Sequence, residues 1–127
     1  MKASHRLRSS EEFRRITRRG VRSAQTHVVV HAAPLREPAS QVHVGFVVSK
    51  KVGNSVIRHR VARRLRGLLI QSGGPELVSV LPPGTGVVVR CAPGINELTP
   101  VELRQELETA INKVALKLSA RETSAEK

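Results

Sequence analysis

The chain has 127 residues, with 22 Lys and Arg against 10 Glu and no Asp, for a net charge of +12 at pH 7. That length fits one domain around one core, and self-repulsion on this scale points to a polyanionic partner. No stretch reaches the roughly 20 apolar residues that span a bilayer, "MKASHRLRSSEEF" lacks an apolar signal-peptide core, and the lone Cys91 excludes an internal disulfide framework or multi-cysteine zinc site.

"SSEEFRRITRRG" is predicted as a helix. Ser9 and Glu12 form a capping box, Glu11 and Glu12 suit the positive end of the helix dipole, and Gly20 supplies a stop. A short strand is expected at residues 21–23. "THVVVHAAP" and "QVHVGFVVS" are rich in β-branched residues and are predicted as strands, with "LREPASQ" turning between them. Next comes "VGNSVIRHRVARRLRGLL", an apolar pattern at helical spacing that Asn54 or Ser55 can cap and that runs to about Gln71 before "SGGP". "ELVSVLPPGTG" is predicted as a partly ordered loop, and "GVVVRCA" as a buried strand. Thr99, Pro100 and Glu102 start a last helix, whose expected apolar face is Val101, Leu103, Leu107, Ala110, Ile111, Val114 and Leu118. Residues 1–118 are thus expected to form one domain and residues 119–127 a disordered tail. The order α-β-β-(β)-α-β-α makes it an α+β protein, specifically an α/β sandwich.

The central helix carries the charge. At about 100° per residue, Ile57, Val61, Leu65, Leu68 and Leu69 fall within an arc of roughly 120° that suits a core-facing stripe. Arg60, Arg63, Arg64 and Arg66, with His59, occupy the opposite side, and Arg58 falls at the helix–loop boundary near the stripe. Guanidinium forks held on a rigid helix match successive phosphates, because each can bind phosphate oxygens bidentately. Lys50, Lys51 and the backbone N–H groups around Asn54 add a further favourable place for phosphate. A basic amphipathic helix also suits a membrane surface, a calmodulin-like partner or plain solvation. Two Phe with no Tyr or Trp leave little for bases to stack on, so phosphate contacts must dominate any binding of nucleic acid.

Catalytic groups are not apparent. His27, His31 and His43 lie on predicted strands without nearby acids at metal-ligand spacing, and ordinary strand histidines fit better than ligands. A protein-only two-metal nuclease needs an inward carboxylate cluster, and none is visible. Cys91 reads as a buried strand thiol rather than a nucleophile. The expectation is therefore no catalytic residue and no metal held by the protein. A DNA-binding repressor would need a short two-helix reading unit, absent from the pattern. No membrane or DNA partner is expected, and the chain reads as soluble and cytoplasmic.

"HVGFVVSKKVGNSVIRHRVARRLRGLL" resembles the signature of the bacterial ribonuclease P protein subunit: a strand ending V-S-K-K-x-G-N-A-V, then R-N-R and K-R-x-x-R on one helix. "RLRSSEEFRRITRRG" resembles that family's N-terminal segment, and "VVVRCAPG" with "LTPVELRQELETAINKV" its last strand and helix, so the likeness covers about residues 5–118. It implies a ribosomal protein S5 domain 2-like sandwich, with the basic helix in a left-handed βαβ crossover. It also implies a protein cofactor for ribonuclease P RNA, which holds the magnesium ions and removes the 5′ leader of precursor tRNA; the protein alone binds no cofactor.

The resemblance assigns RNA contact to Lys50, Lys51, Asn54, Arg58, His59, Arg60, Arg63, Arg64 and Arg66, and a leader-binding cleft to Phe13, Thr17, His31 and Ser49. Departures fall at His59 for the Asn of R-N-R, Ala62 for a lysine, Gly67, Thr17 for a second cleft aromatic and His31 for a strand tyrosine. The alternative function is a structural RNA-binding protein of ribosomal type without a leader cleft.

Overall fold

The computed structural model describes residues 7, 9–37, 39–70 and 75–125. In chain order these form α1 (Ser10–Arg19), β1 (Val21–Ala24), β2 (Val28–Pro34), β3 (His43–Val48), a 3-10 turn (Lys50–Val52), α2 (Ser55–Leu69), the one-turn α3 (Pro75–Val78), β4 (Thr85–Cys91), a second 3-10 turn (Ile95–Glu97) and α4 (Pro100–Ala125). Among the described residues the strands make one sheet in the order β1-β2-β4-β3. β2 runs antiparallel to both β1 and β4, while β3 and β4 are parallel neighbours. Parallel strands need a crossover, and α2 supplies it. This is the expected α+β architecture, with the short strand after α1 present.

The pleat divides the sheet into two apolar layers. Val28, Val30, Ala32, Val44, Val87 and Val89 join Val61, Leu65 and Leu69 of α2 and Leu103, Leu107, Ala110, Ile111, Val114 and Leu118 of α4 in the larger cluster. On the opposite face Ala33 and Val88 meet Leu7 and Ile16, with Phe13 and Leu35 packed beside them. Two glycines let α1 settle there: a Cβ on Gly86 would lie 2.6 Å from Ile16 Cδ1, and one on Gly45 only 2.2 Å from Phe13 Cζ. A side chain at either strand position would force the Ile16 or Phe13 side chain to move.

Capping explains where the helices start. The Ser9 hydroxyl accepts from Glu12 N at 3.3 Å, the Asn54 side chain from Ile57 N at 3.0 Å, and Thr99 and Glu102 exchange bonds of 3.1 and 2.8 Å. Asn54, not Ser55, is therefore the cap of α2. That helix ends at Leu69, and Gln71 lies outside the described residues.

Two expectations are corrected. Val101 is exposed at 65%, because it stands roughly 160° around the helix from Leu103. α4 also continues to Ala125, through residues placed in a disordered tail. Ala, Arg and Glu favour helix there, and the Arg121 guanidinium donates to the Arg19 carbonyl at 2.8 Å, anchoring the extension to the end of α1.

Candidate nucleic-acid interface

α2 is held by its apolar stripe. Val61, Leu65 and Leu69 are at most 1% exposed, and burying side chains of this size contributes roughly 1.5–3 kcal/mol each. Repulsion between arginines one turn apart costs only about 0.2–0.5 kcal/mol per pair. Burial wins by a wide margin, so the helix can carry unneutralised charge on its other faces. His59, Arg60 and Arg63 are exposed, as are Lys50 and Lys51 in the 3-10 turn just before. Asn54 is exposed too, but its side chain is occupied in capping.

The remaining arginines of α2 behave differently. Arg64 is half-buried and donates from its NH1 to the Leu98 carbonyl at 3.3 Å, so it braces α2 against the segment before α4. Arg58 and Arg66 line a groove of about 400 Å³ together with Leu7, Phe13, Val44, Gly45, Phe46, Val48, Ser55, His59 and Ala62. In both, the Nε–H is buried and has no hydrogen-bond partner among the described residues. A buried cationic donor without an acceptor is costly.

The floor and one wall of the groove come from the free edge of β3 and from α1. Leu7 N donates to the Val44 carbonyl at 3.0 Å, covering part of that edge, and Phe13 stands over Gly45. The Phe13 ring and two arginines thus line one groove beside an apolar strand edge. Such a combination suits a single-stranded nucleic acid, whose bases stack while its phosphates are neutralised.

The other expected groups have different fates. Cys91 packs against the main cluster and burial pushes its thiol up to about 12, which leaves no thiolate for chemistry at neutral pH. His27 faces Glu106, with Nδ1 3.1 Å from a carboxylate oxygen that pairs it locally. Among the described residues no three His, Cys, Asp or Glu side chains come together as a metal site, and no helix is long and apolar enough to cross a membrane.

The chain matches the protein-family model described as Ribonuclease P over residues 1–115. The chain belongs to the ribonuclease P protein family. Among its relatives, the ribonuclease P protein component of Mycobacterium sp. (strain KMS) is 42% identical over 118 residues, covering 93% of this chain and 96% of that one. That of Streptomyces avermitilis is 39% identical over 120 residues, 87% of this chain and 91% of the other. Solved ribonuclease P proteins share the fold: the Staphylococcus aureus protein gives a TM-score of 0.72 at 24% identity, covering 87% and 94% of the two chains. The Thermotoga maritima protein gives 0.67 at 22% identity, covering 84% and 96%. Membership of the ribonuclease P family gives the chain a subunit role in tRNA processing, within an endoribonuclease complex that contains RNA.

Of the four residues that the ribonuclease P resemblance assigns to a leader cleft, Phe13 and Thr17 lie on α1, His31 on β2 and Ser49 just after β3. Only Phe13 lines the groove. Thr17 donates its hydroxyl back to the Phe13 carbonyl at 2.9 Å, and Ser49 is exposed at the end of β3. His31 is 5% exposed on β2, between Arg22 and Val88 in the sheet, with neither ring nitrogen bonded. Conversely, Gly45, Phe46 and Val48 were missed as groove residues. Gly45 carried a usable signal, since an isolated glycine within a strand pattern marks close approach of another group.

His31 makes a testable pH effect. Burial, then the charges of Arg90 and Arg22, holds its imidazole below the ordinary 6.5. The unfolded chain therefore takes up this proton before the folded one. The residue's contribution is intact above 6.5 and declines as pH falls below it. The lowered carboxyls of Glu12, bonded to Arg15, and Glu102, bonded to Thr99, act below their ordinary 4.5 and outside that window. The urea midpoint is expected to drop from about pH 7.5 to about pH 5.5, and to drop less in His31→Gln. Equal drops in the two proteins would exclude His31 as the source.

Proposed function

We propose that α2 binds ribonuclease P RNA through Arg60, Arg63 and His59, with Lys50 and Lys51 beside them, and that the groove between Phe13 and α2 receives the 5′ leader of precursor tRNA. The observation that carries this is the groove's composition: one aromatic ring, Phe13, and two arginines, Arg58 and Arg66, line it together. Leader phosphates would accept from Arg58 and Arg66, while a leader base lies on Phe13.

The chemistry in this scheme belongs to the RNA, which holds the magnesium ions and hydrolyses the phosphodiester. The protein contributes charge neutralisation between two polyanions and a grip on the leader, as a cytoplasmic ribonucleoprotein subunit. Its benefit is largest at low magnesium, where the RNAs repel one another most.

The test is to measure binding of leader-bearing precursor and of mature tRNA to the reconstituted holoenzyme. Loss of one stacking contact is expected to weaken precursor binding in Phe13→Ala by roughly 1–3 kcal/mol, with mature tRNA little changed. Equal losses for the two RNAs would remove the leader from the groove.

A further inference from the structure

α1 carries a second cationic surface that neither α2 nor the groove uses. Its apolar residues Phe13 and Ile16 face the sheet, while Arg14, Arg15, Arg18 and Arg19 project from the other side. With Arg36 they wall a shallow concavity of about 490 Å³ whose lining includes one acid, Glu11. Arg15 is committed locally: its Nε lies 2.6 Å from Glu12 and its NH2 donates to the Pro34 carbonyl at 2.6 Å. Glu11 and Arg36 stand 4.0 Å apart and are 81% and 73% exposed, which makes them a weak pair. Arg14, Arg18 and Arg19 are exposed, and their side chains make no hydrogen bond or ion pair among the described residues.

Helix electrostatics explain only part of this. Cations in the last turn suit the dipole, which covers Arg18 and Arg19 but not Arg14. The spacings Arg14–Arg18 and Arg15–Arg19 each place like charges one turn apart, which is unfavourable unless an anion intervenes. A lipid surface fits poorly, because membrane-lying helices insert their apolar face and that of α1 is spent on the sheet. The exposed large apolar residues Val47, Val56, Val80, Val101 and Leu116 all lie outside α1.

α1 and α2 pack into the two different core clusters, on opposite faces of the sheet. A phosphate backbone following Arg60 and Arg63 would therefore have to wrap around the protein to reach Arg14 and Arg18. We propose that the outer face of α1 is a second RNA-binding surface, which takes the phosphodiester backbone of a separate segment of the folded RNA, so that the protein is clasped between two segments. This shares with the proposed function its polyanionic partner, but it does not depend on the α2 row.

The experiment compares assembly of the full chain with ribonuclease P RNA across a salt series, for wild type, Arg14→Gln/Arg18→Gln/Arg19→Gln and Arg60→Ala/Arg63→Ala. The α1 triple is expected to keep its Tm, to bind at least about tenfold more weakly at low salt, and to lower the slope of log K against log salt by roughly 2–3. Its effect should add to that of the α2 pair. Should the triple lose Tm, Arg14→Gln/Arg18→Gln leaves the last-turn Arg19 in place and should lower the slope by roughly 1–2.

Unchanged affinity and slope in the α1 variants would overturn the proposal, and would leave the α2 assignment standing if the α2 pair responds. Loss in the α1 variants alone would sink the α2 assignment and support this one. Loss of binding to phosphatidylglycerol vesicles with RNA affinity intact would also overturn it, in favour of a membrane partner.

Discussion

Arg60→Ala/Arg63→Ala is expected to bind ribonuclease P RNA about ten- to a hundredfold more weakly at low salt, with the slope of log K against log salt lower by roughly 2. Both side chains are exposed on a helix whose opposite face is buried in the core. Alanine is the strongest helix former, so α2 survives the change and the loss reports charge rather than unfolding. Arg64→Ala is the internal comparison. Its guanidinium already donates to the Leu98 carbonyl, so truncation should cost stability, on the order of 1 kcal/mol, and change the salt slope less than either exposed arginine. Filter binding or fluorescence titration over a salt series measures the slopes, and urea unfolding the stability. A pair variant with wild-type slope would mean that these arginines meet solvent and not phosphate.

Gly45→Ala should have the largest effect on the groove. The added Cβ would lie 2.2 Å from Phe13 Cζ and 2.8 Å from Cε1, inside any tolerable contact. The ring must swing away, at a cost of about 1–3 kcal/mol for overpacking. Leader discrimination should fall with it, since the displaced ring no longer stands over the strand edge. Removing the ring relieves the clash, so Phe13→Ala in the Gly45→Ala background should be less destabilising than the two single effects added together. A double-mutant cycle in urea gives the coupling, and precursor against mature tRNA binding gives the functional readout. Strict additivity would mean that Phe13 does not occupy the place over Gly45.

The parts of this protein that could be read from its residues are those set by local rules. Ser9, Asn54 and Thr99 cap their helices as such residues do, and the 3.6-residue apolar repeat of α2 by itself places Arg60 and Arg63 outward. What local rules could not show is where non-adjacent elements meet. The groove exists because Leu7 binds the edge of β3 and Gly45 admits the Phe13 ring, both consequences of how α1 docks across β2 and β4 beside the edge strand β3.

The same limit separates the arginines of α2. On a helical wheel Arg64 falls about 20° beyond the apolar arc, beside Ile57, but only the chain returning at Leu98 supplies the carbonyl within its reach. On the same wheel Arg58 falls within the apolar arc and Arg66 about 60° beyond it, and only the approach of α1 makes both part of the wall of a groove. The end of α4 was misplaced for a related reason: its polar composition suggests a tail, while the bond from Arg121 to the end of α1 is a tertiary contact.

The division of labour between protein and RNA is tested most directly by reconstitution: purified chain, ribonuclease P RNA and precursor tRNA at low magnesium, followed by the appearance of mature 5′ ends. Cleavage should require the RNA, be strongly stimulated by the chain, and lose that stimulation as salt or magnesium rises. Maturation by the chain with no RNA subunit, or RNA-driven cleavage indifferent to the chain at low magnesium, would contradict it.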